Sequence, residues 1–317
     1  MMVRVCFHDK CFDGAASAAV FTRFYCECIN PQAEFAYTGL THRAAQVLDA
    51  ALFDGDENAI VDFKYSPSPR LTWWFDHHQS AFLTSEDAEH FHRDQSGRKF
   101  FNPEFKSCTK FLASVAESKF HFQAAPLADL IEWADIIDGA QYPTPESAVK
   151  MDHPATQLAL VIEAAPDHDL TKRLIPDLAQ RSLAEIVKLP YVAEHFAPLF
   201  ERHQASIATI QKNSEYRDRV VYLDVSDHHL EAYNKFIPYF LYPGCYYSVG
   251  VSLSPERAKV AVGSNPWSRP AVEKNLASIC ERYGGGGHPR VAAISFEPHD
   301  IQRARQAARE IAEELRR

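Results

Sequence analysis

The sequence lacks any apolar run long enough to span a bilayer. Its first residues, Met1-Met2-Val3-Arg4-Val5, enter a strand pattern at once, without the charged, apolar and small-residue zones of a secretory leader. A regular cysteine framework is also missing. Seven cysteines at irregular spacing exclude a disulfide-stapled scaffold and lead us to expect a reducing, cytoplasmic setting. Excess positive charge is absent too: 33 Lys and Arg face 42 Asp and Glu, a formal net charge of -9. Without a basic footprint, general coating of long nucleic acid is not expected. A small anionic substrate stays compatible, because bound cations reverse the local field. There is no internal repeat and no low-complexity tract.

What is present fits a water-soluble globular chain. The 317 residues are 46% hydrophobic and 24% charged, and the length suits two domains. Strand-like runs at Val3-Arg4-Val5-Cys6-Phe7, Ala59-Ile60-Val61 and Leu71-Thr72-Trp73-Trp74-Phe75 alternate with helical patterns at 14–28 and 41–53. Such alternation predicts a parallel sheet with right-handed crossovers. Residues 107–118 and 126–137 read as further helices, and Tyr142-Pro143-Thr144-Pro145 breaks the pattern. From 154 to 214 the apolar spacing is helical, with a long helix expected from Pro190 to Asn213. Strands then return at 219–223, 246–253, 259–262 and 291–296, before a charged helix at 300–316. The chain is therefore read as α/β throughout. Its expected parts are a parallel-sheet domain over 1–189, a helical connector over 190–214, and a smaller α/β domain over 215–317.

The first three strand-like runs share one property. They end in His8, with Asp13-Gly14 five residues later; in Asp62; and in Asp76-His77-His78. Ligands of open α/β sheets gather at the carboxyl ends of the strands. Carboxylate and imidazole together suit a divalent ion such as Mn2+. A lone Asp-His-His string is an ordinary polar turn; three acid-bearing strand ends in order are a pattern. A second such string, Asp227-His228-His229, follows a different strand and lacks partner acids, so it reads as loop. Cys6, Cys26, Cys28, Cys108, Cys245 and Cys280 read as small core or surface residues.

With these residues assembled, the chain resembles the DHH phosphoesterase superfamily, near its RecJ-like and nano-RNase-like members. The resemblance rests on His8 to Ala18 (HDKCFDGAASA), Val61-Asp62, Asp76-His77-His78, an acid at Asp135 or Asp138, and Gly284-Gly285-Gly286-Gly287-His288 followed by Val291-Ala292-Ala293. It implies a two-domain metal-dependent phosphohydrolase with a DHH-associated C-terminal domain. Two Mn2+ ions are implied, bridged by Asp62. Asp13, His77 and the fourth acid would hold one, and His8 the other. Asp138 is preferred as the fourth acid, with Asp135 supporting it. His78 would face the scissile phosphate as a general acid, and Asp76 would fix an imidazole tautomer.

One position departs from the family pattern. Cys11 stands where the family usually carries the first of two aspartates. Thiolate is a softer ligand, which opens Zn, Fe or Co at that site, alone or with help from Asp9.

The glycine run lets a ligand approach backbone N–H groups closely. Gly285, Gly286, Gly287 and His288, with Arg290, Asn265, Trp267 and Arg269, are the candidate substrate-binding set. Trp267 suits either packing or base stacking. The expected partner is a small phosphorylated substrate or short oligonucleotide, with no membrane. A pyrophosphatase or exopolyphosphatase is a rival, as is a nucleotide- or RNA-binding protein whose metal centre has degenerated through Cys11.

Overall fold

The computed structural model describes residues 1–41, 48–164, 166–167, 169–228, 230, 233–268 and 274–317. The chain divides into two compact units, residues 1–142 with 152–199, and residues 143–151 with 200–317.

The first unit is built on five strands: β1 (Met2–His8), β2 (Glu34–Leu40), β3 (Glu57–Val61), β4 (Trp73–Asp76) and β5 (Lys99–Phe101). They lie in the order β2-β1-β3-β4-β5, and every neighbouring pair is parallel. All carboxyl ends therefore meet at one edge. The twofold alternation of strand side chains splits each central strand between two cores. Val5, Phe7, Ala59, Val61, Trp73 and Phe75 enter the larger one. Their neighbours Cys6, Ile60 and Trp74 enter the smaller one on the opposite face. Both indoles are buried with their N–H groups bonded: Trp73 donates to Glu57 Oε2 at 2.7 Å and Trp74 to the Phe63 carbonyl at 2.9 Å.

Helix α1 (Phe12–Cys28) is buried on nearly every side, as an alanine-rich helix apolar all round must be. Helix α2 (Ser85–Arg93) is amphipathic, without a buried residue, and starts at an N-cap where Thr84 Oγ1 accepts the Asp87 N–H. Helices α3 (Cys108–Phe120) and α4 (Ala128–Asp138) pack on α1, as does Leu170–Gln180. The expected helix over 41–53 falls largely on residues 42–47, outside those described; within its described end, Ala50–Leu52 is a 3-10 turn. The long helix runs Pro190–Lys212.

In the second unit the strands are β6 (Ser214–Arg217), β7 (Val220–Asp224), β8 (Tyr247–Leu253), β9 (Ala258–Ser264), β10 (Gly286–His288) and β11 (Val291–Phe296). Their order is β10-β11-β9-β8-β7-β6. The β7–β8 pair is parallel and the others antiparallel. The terminal helix Ile301–Leu315 covers this sheet with Ala304, Ala308, Ile311 and Leu315. All seven cysteines are free thiols. Among the described residues no helix is long and apolar enough to cross a membrane.

Candidate metal centre

The carboxyl edge of the first sheet brings together the residues picked out in sequence. His8 closes β1, Asp62 follows β3 directly, and Asp76 closes β4 with His77 and His78 behind it. Asp13 lies in the first turn of α1 and Asp138 in the last turn of α4. Among the described residues three sets have ligand atoms within 4.8 Å of one another: His8, Cys11 and Asp62; Asp62, His77 and His78; Asp13, His77 and Asp138.

Gly14 sets how closely α1 approaches β1. A Cβ there would stand 2.1 Å from the His8 carbonyl oxygen. Only glycine lets the helix begin so near the strand end, and this contact puts Asp13 and Cys11 beside His8. Asp62 has φ 55°, in the left-handed region, where Asp is tolerated better than most residues. Its N–H is held by the Phe75 carbonyl at 3.0 Å, so the turn is fixed by the neighbouring strand.

Asp62 is 1% exposed, and its two oxygens face different imidazoles. Oδ1 lies 3.4 Å from His77 Nε2, and Oδ2 lies 3.4 Å from His8 Nδ1. His77 Nε2 also stands 3.7 Å from Asp13 Oδ2 and 3.6 Å from Asp138 Oδ2. Neither Asp62 oxygen nor His77 Nε2 has a hydrogen-bond partner among the described residues. Buried polar atoms are rarely left so. Metal–ligand bonds of about 2.0–2.2 Å place ligand atoms roughly 3–3.6 Å apart around one ion. The spacing thus fits a cation better than direct hydrogen bonds, and the donor set of carboxylates and imidazole fits Mn2+ or Mg2+.

The outer contacts are equally specific. His77 Nδ1 lies 3.2 Å from the Phe105 carbonyl, which fixes the tautomer that leaves Nε2 toward the acids. Asp76 serves His78 instead: its Oδ1 lies 2.7 Å from His78 Nδ1 and accepts the backbone N–H groups of His77 and His78. Asp13 is held by the N-terminus of α3, its oxygens accepting the N–H groups of Cys108 at 2.7 Å and Thr109 at 3.0 Å. Sequence reading missed Phe105, Cys108 and Thr109; only the N-cap Ser107, whose Oγ accepts the Lys110 N–H, offered a signal for this helix start.

The electrostatics follow from crowding. Burial pushes Asp13 well above the usual carboxylate range, and Asp62 and Asp138 add to the rise. Asp138 is pushed up to about 6, first by burial and then by Asp62. Burial opposes charge on Asp62 as well, yet His77 and His8 bring it down to about 2. Burial disfavours protonated His77, but Asp62 and Asp13 override it and raise the imidazole to about 10. Burial likewise pushes the Cys11 thiol far up, helped by Asp62 and Asp13. A cluster so rich in acid would be relieved of this repulsion by bound cations.

The remaining candidates separate. Asp135 is bonded to Lys110 Nζ at 2.6 Å and Ser107 Oγ at 3.3 Å, tying α4 to the start of α3. Asp9 accepts the Lys10 N–H and packs against Gly39. In the second unit Asn265 is 3% exposed, and its side chain is spent on its own loop, donating to the Pro243 and Cys245 carbonyls and accepting the Trp267 N–H. Trp267 packs edge-on against Phe236 and Tyr239. Arg269 and His229 lie outside the described residues. Of the second Asp-His-His string, Asp227 pairs with Arg305 at 2.8 Å and His228 meets Asn213 at 3.1 Å. The glycine run leads into β10, and just before that strand a Cβ on Gly285 would meet the Ala293 carbonyl at 2.3 Å. His288 and Arg290 are exposed beside it.

No protein-family model and no curated protein matches the sequence. Solved structures do. A pGpG-specific phosphodiesterase, PggH from Vibrio cholerae, is 20% identical with a TM-score of 0.69 over 99% of each chain. The DHH domain of a member of a ribosomal-protein family is 12% identical, with a TM-score of 0.54 over 99% of this chain and 86% of that one. The chain has the DHH fold. RecJ from Thermus thermophilus, in complex with Mn2+, shares it at 13% identity and a TM-score of 0.55; this chain spans 52% of RecJ. The parallel sheet with acids and imidazoles at its carboxyl edge is thus the DHH sheet, and the Asp76-His77-His78 string stands at the end of its fourth strand.

Proposed function

We propose that this chain is a metal-dependent phosphohydrolase acting on a phosphodiester in a short nucleotide. The observation that carries the reading is Asp62: a buried carboxylate without hydrogen bonds among the described residues, with one oxygen toward His77 and the other toward His8. In this reading Asp13, His77 and Asp138 would hold one cation, His8 with Cys11 would hold another, and Asp62 would serve both. When bound, the cations supply a water of lowered pKa and neutralise phosphoryl oxygens. The protein's own part is orientation and proton transfer. Asp76 fixes the ring of His78 and favours its protonated form, and His78 donates to the phosphate or leaving group. Cys108 and Thr109 hold Asp13 in place.

The likeness to PggH over the full length of both chains supports a dinucleotide as substrate. The overall acidic charge supports a small substrate over long nucleic acid. The test is product release from a linear dinucleotide, cyclic dinucleotides, a nucleoside 3′,5′-bisphosphate, pyrophosphate and polyphosphate, with Mn2+ or chelator. Metal-dependent turnover of a linear dinucleotide supports the reading. Turnover of pyrophosphate or polyphosphate alone replaces it with a phosphoanhydride hydrolase. Ligand binding without any turnover replaces it with a binding protein.

A further inference from the structure

The two halves of the metal centre differ in chemistry. Asp13, His77 and Asp138 offer oxygen and imidazole nitrogen. His8, Cys11 and Asp62 offer nitrogen, sulfur and oxygen, all within 4.8 Å of one another. We infer that His8, Cys11 and Asp62 form a thiolate-bearing site that takes a borderline ion such as Zn2+ or Fe2+, so that the centre is built for two unlike metals sharing Asp62. The inference rests on the two-cation reading of Asp62 given above.

Three observations carry it. Cys11 is the N-cap residue of α1, with extended φ -132° and ψ 131°, so sulfur stands where a capping oxygen is usual. Oxygen-bearing side chains are favoured there because they accept N–H groups of the first turn. The thiol is a weak acceptor for such groups, with the Gly14 N–H beside it, and it stands among the ligand atoms of His8 and Asp62. Second, Asp62 Oδ2 is buried without a hydrogen bond among the described residues and faces His8 Nδ1 at 3.4 Å, whereas Oδ1 faces His77. That buried oxygen, beside the His8 and Cys11 ligand atoms, is placed for a cation separate from the one beside His77. Third, the nearby acid that could replace sulfur by oxygen is engaged: Asp9 accepts the Lys10 N–H and lies against Gly39.

Softness then decides the ion. Thiolate selects Zn2+ and iron over Mn2+, while a carboxylate-rich set does not. Binding is balanced by loss of the Cys11 thiol proton to solvent as the metal–sulfur bond forms. No change of oxidation state is involved.

Cobalt reports the thiolate directly. The full chain, stripped with chelator under a phosphine reductant, would be titrated with Co2+ while recording the near-ultraviolet sulfur-to-cobalt charge-transfer band. Wild type should develop the band to one equivalent per chain. Cys11→Ser and Cys11→Asp should lack it, and Asp138→Asn should keep it. In equilibrium dialysis against mixed Zn2+ and Mn2+, Cys11→Asp should shift the bound ratio toward Mn2+ by about tenfold or more. A wild-type cobalt spectrum matching that of Cys11→Ser, or an unmoved Zn2+ to Mn2+ ratio, would overturn the inference. Dinucleotide turnover in the same samples keeps the two readings apart. A band without turnover removes the hydrolase and leaves the mixed site; turnover without a band does the reverse.

Discussion

Asp76 and His78 form a closed pair: the carboxylate is fully buried, and its Oδ1 lies 2.7 Å from His78 Nδ1. The pairing raises the imidazole above its ordinary range even though burial opposes the charge. That is the direction the proton-donor role proposed for His78 requires. Asp76→Asn should lower kcat by about 10²- to 10⁴-fold and leave Mn2+ affinity within a few-fold, read by turnover and isothermal titration side by side. If metal affinity collapsed with kcat, Asp76 would be a support for His77 and not for proton donation.

The acids at the end of α4 should behave differently from each other. Asp138 faces His77 at 3.6 Å, while Asp135 is paired with the half-exposed Lys110. Asp135→Asn should cost no more than about 1 kcal/mol of stability, as for other exposed pairs, with metal content unchanged. Asp138→Asn and Asp62→Asn should each weaken Mn2+ binding by about 100-fold or more, beyond what loss of an outer support does. Metal analysis after gel filtration separates the outcomes. Equal metal content in Asp138→Asn and wild type would reject Asp138 as a ligand.

Stability of the metal-free protein should fall as pH rises. Asp138 is raised from 3.8 to about 6, so its protonation favours the fold below pH 3.8, and that contribution is lost by pH 6. His77 is raised from 6.5 to about 10, so its share is full below pH 6.5 and fades toward pH 10. Asp62, lowered to about 2, works the other way, but only below about pH 4. Chelated protein should therefore melt lower at pH 9 than at pH 6.5, by roughly 2–4 °C for each kcal/mol lost. Saturating Mn2+ should abolish or invert the trend, because binding itself becomes tighter as these groups lose protons. A chelated protein whose Tm rose over that interval would contradict the charge balance described here.

Gly14 and Gly286 make a matched pair of substitutions. A Cβ at Gly14 meets the His8 carbonyl at 2.1 Å, whereas nothing lies within 4 Å of one at Gly286. Gly14→Ala should destabilise by about 3 kcal/mol or more, since backbone must move, and should lose metal as His8 and Asp13 separate. Gly286→Ala should stay within about 1 kcal/mol. Calorimetry of both variants checks the contrast.

The parallel sheet was legible in sequence where strands are central. Val5, Ile60 and Trp74 sit in runs that are apolar on both faces, which only a doubly covered strand produces. Strand β2 escaped notice because it lies at the edge. Glu34, Ala36 and Thr38 dilute its pattern, and only Leu40 is fully buried. Strand β10 is three residues long and built from glycine and histidine, so no periodicity could reveal it. Within the candidate centre, residues carried by strand ends were readable because chemistry and secondary structure coincide there. Contributions made by main chain were not: the Phe105 carbonyl and the Cys108 and Thr109 N–H groups act regardless of side-chain identity. Asn265 shows the converse, a polar residue with a promising neighbourhood whose bonding capacity is consumed by its own turn.

The left-handed turn at Asp62 is pinned by the strand beside it, through a main-chain bond that the protein itself supplies. The conformational cost of that turn, of order 1–3 kcal/mol, is met when the chain folds and not when an ion arrives. Ion capture should then be limited by diffusion and dehydration of the cation, not by rearrangement of the loop. Exchange of one divalent ion for another would proceed without partial unfolding, so the donor atoms and the ions on offer, not a slow loop, should set the chain's metal content.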